Sequence, residues 1–209
     1  MYSAAIDTIY SGAILLFMDT RQKLIAAALE VLEEKGEATF STRAVLDIAK
    51  VSAPTLYHHF GNADGILSAA LTEAFAQFLK SKQQAAKKSA DPVTALVVGW
   101  DDYVRFAAAR PRLYAAMLSR VLQGGQIPAA EQAFHLLLDQ LRTVAAQGCL
   151  AMKVEAAADR MWASANAASL LYVTARLRKV SPPSQAVLND LRESALRSIL
   201  SPNKKGRAR

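Results

Sequence analysis

The stretch Ser41-Thr-Arg-Ala-Val-Leu-Asp-Ile-Ala-Lys-Val-Ser-Ala-Pro-Thr-Leu-Tyr-His-His-Phe-Gly61 decides how this chain is read. Ser41 or Thr42 is suited to cap a short helix whose Val45, Ile48 and Ala49 share one inward face. Val51 fills a tight turn and Ser52 caps a second helix. Pro54 falls in the first turn of that helix, where its missing N–H is not needed for an intrahelical bond. Leu56 and Phe60, four apart, form its buried face, so Thr55, Tyr57, His58 and His59 project elsewhere, with one histidine expected to pack inward. Gly61 takes the left-handed backbone that closes the helix. Two short helices joined by a tight turn make a helix-turn-helix, whose second helix can lie in the major groove of DNA. The N-terminus of that helix suits phosphate, and the hydroxyls of Thr55 and Tyr57 can set register on the DNA backbone.

Upstream, Leu24, Ile25, Ala28, Leu29 and Leu32 follow helical spacing after an N-cap at Asp19 or Thr20, and Gly36 stops the helix. Downstream, the pattern predicts a long helix from about 63 to 89. Others follow near 92–109, 111–122, 129–148, 154–180 and 184–201, with Pro92, Pro111 and Pro128 at helix starts and Pro182-Pro183 as a break. No strand-like alternation and no internal repeat occurs. The fold class is therefore all-α, with an N-terminal three-helix head at 20–66 and a larger helical body at 67–201. An N-terminal extension (1–19) and a basic tail (202–209) flank them. Met18 is an alternative natural start, because the periodic pattern begins just after it; otherwise the extension is a partner-packing or lid segment. The apolar run Ala13–Met18 has no basic residue before it and is too short to be a secretory signal or a membrane span.

Composition supports a real core, since 52% of residues are hydrophobic. One cysteine, Cys149, excludes an internal disulfide and suits a cytoplasmic location. The net charge of +7 points to nucleic acid only weakly. The head carries five basic residues against six acidic ones, and much of the excess sits at Lys80, Lys82, Lys87, Lys88 and in the tail.

The segment Ser52-Ala-Pro-Thr-Leu-Tyr-His-His-Phe60 resembles the recognition helix of TetR-family repressors, where Thr-Leu-Tyr precedes an aromatic pair. The resemblance covers about 20–66. It implies that Thr42 and Arg43 start the supporting helix near phosphate. It also implies that Ser52, Thr55, Tyr57 and His58 touch DNA, with Pro54 near a base methyl. Trp162-Ala-Ser-Ala-Asn166-Ala-Ala-Ser-Leu170 is similar to a motif of one C-terminal subfamily, which has His and Gly where Asn166 and Ala167 stand. In the head, Lys50 occupies the place of a turn glycine, Leu46 replaces a small residue, and Ala63 stands where a phosphate-contacting lysine is common.

Trp100, Tyr103, Tyr114, Met117, Phe134, Met161 and Trp162 lie on helices that should pack together. They suit either plain core or an apolar pocket with few polar anchors, and Asn166, one turn from Trp162, can orient a ligand. The family's habit of binding effectors in its body makes these the candidate ligand-binding residues. Adjacent His58 and His59 diverge on a helix, and Glu131 and His135 lack a third ligand, so no metal is expected. No cofactor is expected. No nucleophile–base pair or paired carboxylates stand at useful spacing, so the chain is not read as an enzyme. Cys149 is expected to be buried and inert.

Small residues at Ala157, Ala158, Ala163, Ala167 and Ala168 permit close helix contact, and Leu188, Leu191, Ala195, Ile199 and Leu200 form a stripe on the last helix. The resemblance implies that the helices near 154–180 and 184–201 pair with their copies in a homodimer. The partners expected are a palindromic double-stranded DNA operator, a small, apolar effector and a second copy of the chain, with no membrane. Effector binding would shift the 63–89 helix and release DNA. The alternative is a helical small-molecule-binding protein whose degenerate head no longer reads DNA.

Overall fold

A computed structural model describes residues 19–86, 91–125 and 127–202. The readings of the N-terminal extension, the end of the long helix at 87–89 and the basic tail lie outside them. Among the described residues the chain is helical with no strand. The elements are α1 (Thr20–Lys35), a 3-10 turn (Glu37–Thr39), α2 (Thr42–Ala49), α3 (Ala53–Phe60), α4 (Ala63–Ala86), α5 (Pro92–Ala109), α6 (Pro111–Leu122), α7 (Pro128–Ala146), α8 (Val154–Arg178) and α9 (Gln185–Ile199). The chain divides into two compact units at Ala74–Phe75, inside α4.

In the first unit the caps explain the boundaries. Asp19 accepts the N–H of Gln22 at 2.8 Å, and Ser41 accepts that of Ala44 at 3.2 Å. α1 supplies half of the core, burying Leu24, Ala28, Val31 and Leu32 completely or nearly so, and α2 and α3 pack on it. Val45 and Leu56 are the fully buried contributions of α2 and α3. Ile48, Ala49 and Phe60 are only half-buried, so the inward faces of both helices are narrower than their spacing predicts. Phe60 lies under the guanidinium of Arg21, 5.4 Å from the ring centroid.

Two backbone positions hold the head's turns. Lys50 closes α2 with φ 54° and ψ 44°, the left-handed conformation that glycine adopts without steric cost. Gly65 is required for a different reason. A Cβ there would lie 2.0 Å from the carbonyl oxygen of Phe60, a contact that no side-chain rearrangement relieves. Asn62 caps α4 by accepting the Gly65 N–H at 2.8 Å, which fixes the approach of the two helices.

In the second unit α8 is the central helix, packed against α5, α6, α7 and α9. Small Ala157, Ala158, Ala165 and Ala168 are buried on it and let the surrounding helices come close. A short antiparallel bridge, Leu150 to Leu200, ties the turn before α8 to the end of α9. The α9 stripe expected at a dimer interface instead lies largely inside the unit. Leu188, Ala195 and Ile199 are buried in its core, and Leu191 and Leu200 pack half-buried against it. Cys149 is half-buried rather than buried, with its thiol 3.6 Å from the Gln147 carbonyl.

Candidate DNA-binding face and effector cavity

The head's candidate residues fall on two short helices and the turn between them. Thr42 and Arg43 open α2, with Arg43 exposed and Thr42 half-buried. On α3 and at its N-cap, Ser52, Pro54, Tyr57 and His58 are exposed, while Thr55 is half-buried. Tyr57 leaves 46% of its surface open although Leu56 beside it is completely buried. An exposed aromatic side chain next to a core anchor is held in place by the fold yet is not used by it.

Ser52 occupies the N-cap position, but its hydroxyl bonds the Thr55 hydroxyl at 2.8 Å and makes no bond to a backbone N–H. The first N–H groups of α3 therefore remain open to an anion. His59 is exposed like His58, so neither histidine packs inward. The reason is the narrow buried face: Leu56 alone fills the contact, and both imidazoles lie beyond it. Ala63 and Lys50 are also exposed on the head's surface.

The second unit holds a cavity of about 180 Å³ that is open on one side. All eight candidate ligand residues line it: Trp100 and Tyr103 from α5, Tyr114 and Met117 from α6, Phe134 from α7, and Met161, Trp162 and Asn166 from α8. Phe75 of α4, Ile127 and Gln140 also line it and were missed from the sequence. Gln140 carried a legible signal. It follows Ala130, Ala133, Phe134 and Leu137 at helical spacing, a polar side chain on an otherwise apolar face. Phe75 carried none, because the long α4 has several such apolar residues.

A polar cluster forms one corner of the cavity. Asn166 Oδ1 accepts from the Tyr114 hydroxyl at 2.8 Å and from the Tyr103 hydroxyl at 3.0 Å. Asn166 Nδ2 donates to the Trp162 carbonyl at 2.8 Å. That carbonyl can only accept, which fixes the amide's orientation and obliges both phenols to donate to Oδ1. Burial pushes both tyrosine hydroxyls above the usual phenol range, Tyr103 the further of the two, so both are neutral donors at physiological pH. Behind the cavity wall Trp100 Nε1 donates to Ser164 Oγ at 3.2 Å, and Ser164 donates to the Leu191 carbonyl of α9 at 3.1 Å. Among the described residues no charged side chain lines the cavity. Half-exposed Trp162 and exposed Val121 and Leu122 stand at its open side.

The outer surface of α8 carries a further pattern. Ala163, Ala167, Leu170, Thr174 and Leu177 are exposed, spaced alternately four and three apart. Thr174 turns its hydroxyl back onto the Leu170 carbonyl at 2.6 Å. The result is an apolar seam with the period of a helix–helix contact, continued by exposed Leu171, Val180 and Val187. Glu131 and His135 are both exposed, and among the described residues no three potential metal ligands come together.

Residues 24–70 match the sequence model of the bacterial regulatory proteins of the tetR family. The fold is shared by a TetR transcription regulator from Haloarcula marismortui, at 18% identity over 88% of this chain and 100% of that one, with a TM-score of 0.69. A protein of unknown function from Rhodococcus aligns at a TM-score of 0.72 and 20% identity, over 88% and 97% of the two chains. The regulator FadR from Bacillus subtilis, solved in complex with stearoyl-CoA, aligns at 0.64 and 17% identity, over 84% and 97%. No curated protein sequence matches the chain.

Proposed function

We propose that this chain, whose residues 24–70 match the tetR family model and whose fold is shared by a TetR transcription regulator, is a dimeric transcriptional repressor, released from a palindromic operator by a small, apolar effector. The observation that carries the reading is the exposed face of α3, where Tyr57 and His58 project beside an anchored Leu56 and an N-terminus with open N–H groups. Thr42 and Arg43 lie near phosphate, the hydroxyls of Thr55 and Tyr57 set register on the DNA backbone, Pro54 contacts a base methyl, and Ser52 and His58 touch DNA beside them. A second copy docks through the exposed α8 seam with help from α9, which sets two recognition helices about 34–36 Å apart.

The cavity supplies the switch. α4 runs unbroken from Ala63 to Ala86, and its Phe75 lines the cavity. An effector that displaces Phe75 shifts α4 and alters the spacing of the two heads. By linkage, the effector binds the DNA-free form better, and DNA weakens the effector by the same factor. A regulator of the same fold solved in complex with stearoyl-CoA supports a small-molecule effector. Among the described residues no helix is long and apolar enough to cross a membrane, and the single cysteine favours a reducing cytoplasm.

Footprinting on DNA just upstream of the gene tests the reading: it predicts two protected half-sites on one face of the duplex, centred about one helical turn or a multiple apart. Protection without periodicity, or none, contradicts it. A second reading, a helical small-molecule binder with a degenerate head, is favoured by the head's balance of five basic against six acidic residues. It predicts ligand binding with no footprint.

A further inference from the structure

The hydrogen-bond inventory of the cavity restricts what it can hold. Both phenol hydrogens point at Asn166 Oδ1, and the Tyr114 oxygen also lies within hydrogen-bond reach of Tyr103 and of buried Ser169, which leaves the Tyr103 oxygen as the open acceptor. Asn166 has one remaining N–H after its bond to the Trp162 carbonyl. The Trp100 indole N–H is turned away onto Ser164. The polar corner therefore offers an acceptor and one donor side by side, the complement of a hydroxyl group, and Gln140 on α7 is the other polar side chain of the lining.

Charge and size narrow the class further. Among the described residues the wall holds no cation to neutralise a carboxylate and no carboxylate to neutralise an ammonium. An ion would leave water without a partner, a penalty that a neutral molecule escapes. The space of about 180 Å³ is close to that of a dry cavity of about 150 Å³ that accepts benzene. Trp100, Phe134 and Trp162 supply aromatic walls for a single ring.

We propose that the cavity selects a small neutral compound of one aromatic ring bearing a hydroxyl, with that hydroxyl donating to a tyrosine oxygen and accepting from the free Asn166 N–H. This rests on the body being the effector site.

The two tryptophans of the chain, Trp100 and Trp162, both line the cavity, so intrinsic fluorescence reports occupancy directly. The full-length protein is titrated, without DNA, with p-cresol, toluene, benzoate and benzyltrimethylammonium. The expected result is saturable binding of p-cresol at least tenfold tighter than toluene, with neither ion binding measurably. In Tyr103→Phe and Tyr114→Phe proteins the preference for p-cresol over toluene falls several-fold while toluene affinity holds, and circular dichroism confirms folding. Equal binding of toluene and p-cresol, tighter binding of either ion, or no binding by any probe overturns the proposal. Because no DNA is present, a footprint that fails leaves this result standing, and a probe that fails leaves the footprint standing.

Discussion

Tyr114 and Asn166, 52 positions apart in the chain, meet at 2.8 Å with the phenol donating to the amide oxygen, and Tyr103 donates to the same oxygen. One side chain of α8 thus satisfies two aromatic hydroxyls from two other helices. Replacing Asn166 with Ala strands both donors. The expected cost is about 1–3 kcal/mol of stability, the penalty for a polar group buried without a partner. Chemical denaturation measures it. The same substitution in a Tyr103→Phe/Tyr114→Phe background costs less, because no donors remain to strand; equal costs in both backgrounds contradict the assignment.

The raised tyrosine hydroxyls make an alkaline prediction with a definite sign. Burial raises both in the folded chain, while in the unfolded chain they ionise near the ordinary value of about 10. Above that pH the unfolded state binds fewer protons than the folded state, so stability falls as pH rises. Below it the two states are equally protonated at these groups and stability is indifferent to them. Thermal melts from neutral pH to about pH 11 check this, and Tyr103→Phe/Tyr114→Phe should fall less steeply above about pH 10.

Backbone geometry gives a pair of opposite predictions in the head. Lys50 sits in the left-handed region at φ 54°, so Lys50→Gly relieves steric cost and raises stability by about 0.5–1 kcal/mol after the added freedom of the unfolded chain is counted. Gly65→Ala places a methyl 2.0 Å from the Phe60 carbonyl oxygen and lowers stability by about 3 kcal/mol or more. Denaturant midpoints of the two variants should move in opposite directions.

These cases show what sequence could and could not deliver. Lys50 is legible as a departure from a turn glycine through the family resemblance, and its left-handed backbone is what that departure implies. Local spacing also placed the helices, and the eight aromatic, Met and Asn residues of the body came together around one cavity. What spacing does not carry is the identity of the surface that covers an apolar face. The stripe Leu188, Ala195, Ile199 correctly marked a buried face, but periodicity carries no information on what buries it, and α8 of the same chain does. Neither His58 nor His59 packs inward, because an eight-residue helix has a narrower apolar face than its spacing implies and Leu56 fills it.

The proposed dimer is tested at Leu170, which is 46% exposed at the middle of the apolar seam. Leu170→Arg should leave the monomer fold intact, since the side chain is not used by the core. Sedimentation is expected to show a dimer for the parent chain and a monomer for the variant. A parent chain that sediments as a monomer, or a variant that remains dimeric, contradicts docking through α8.

The central claim is that the head reads DNA through the exposed face of α3, and a salt series of binding to DNA from upstream of the gene tests it most directly. Parent and Tyr57→Ala proteins are compared, the variant being expected to fold normally because Tyr57 is 46% exposed. The account predicts tight binding by the parent that weakens steeply with salt, as phosphate contacts release counterions, and a loss of at least tenfold in the variant at every salt concentration. Equal, weak binding by both proteins would contradict it and leave the head without a role in reading DNA.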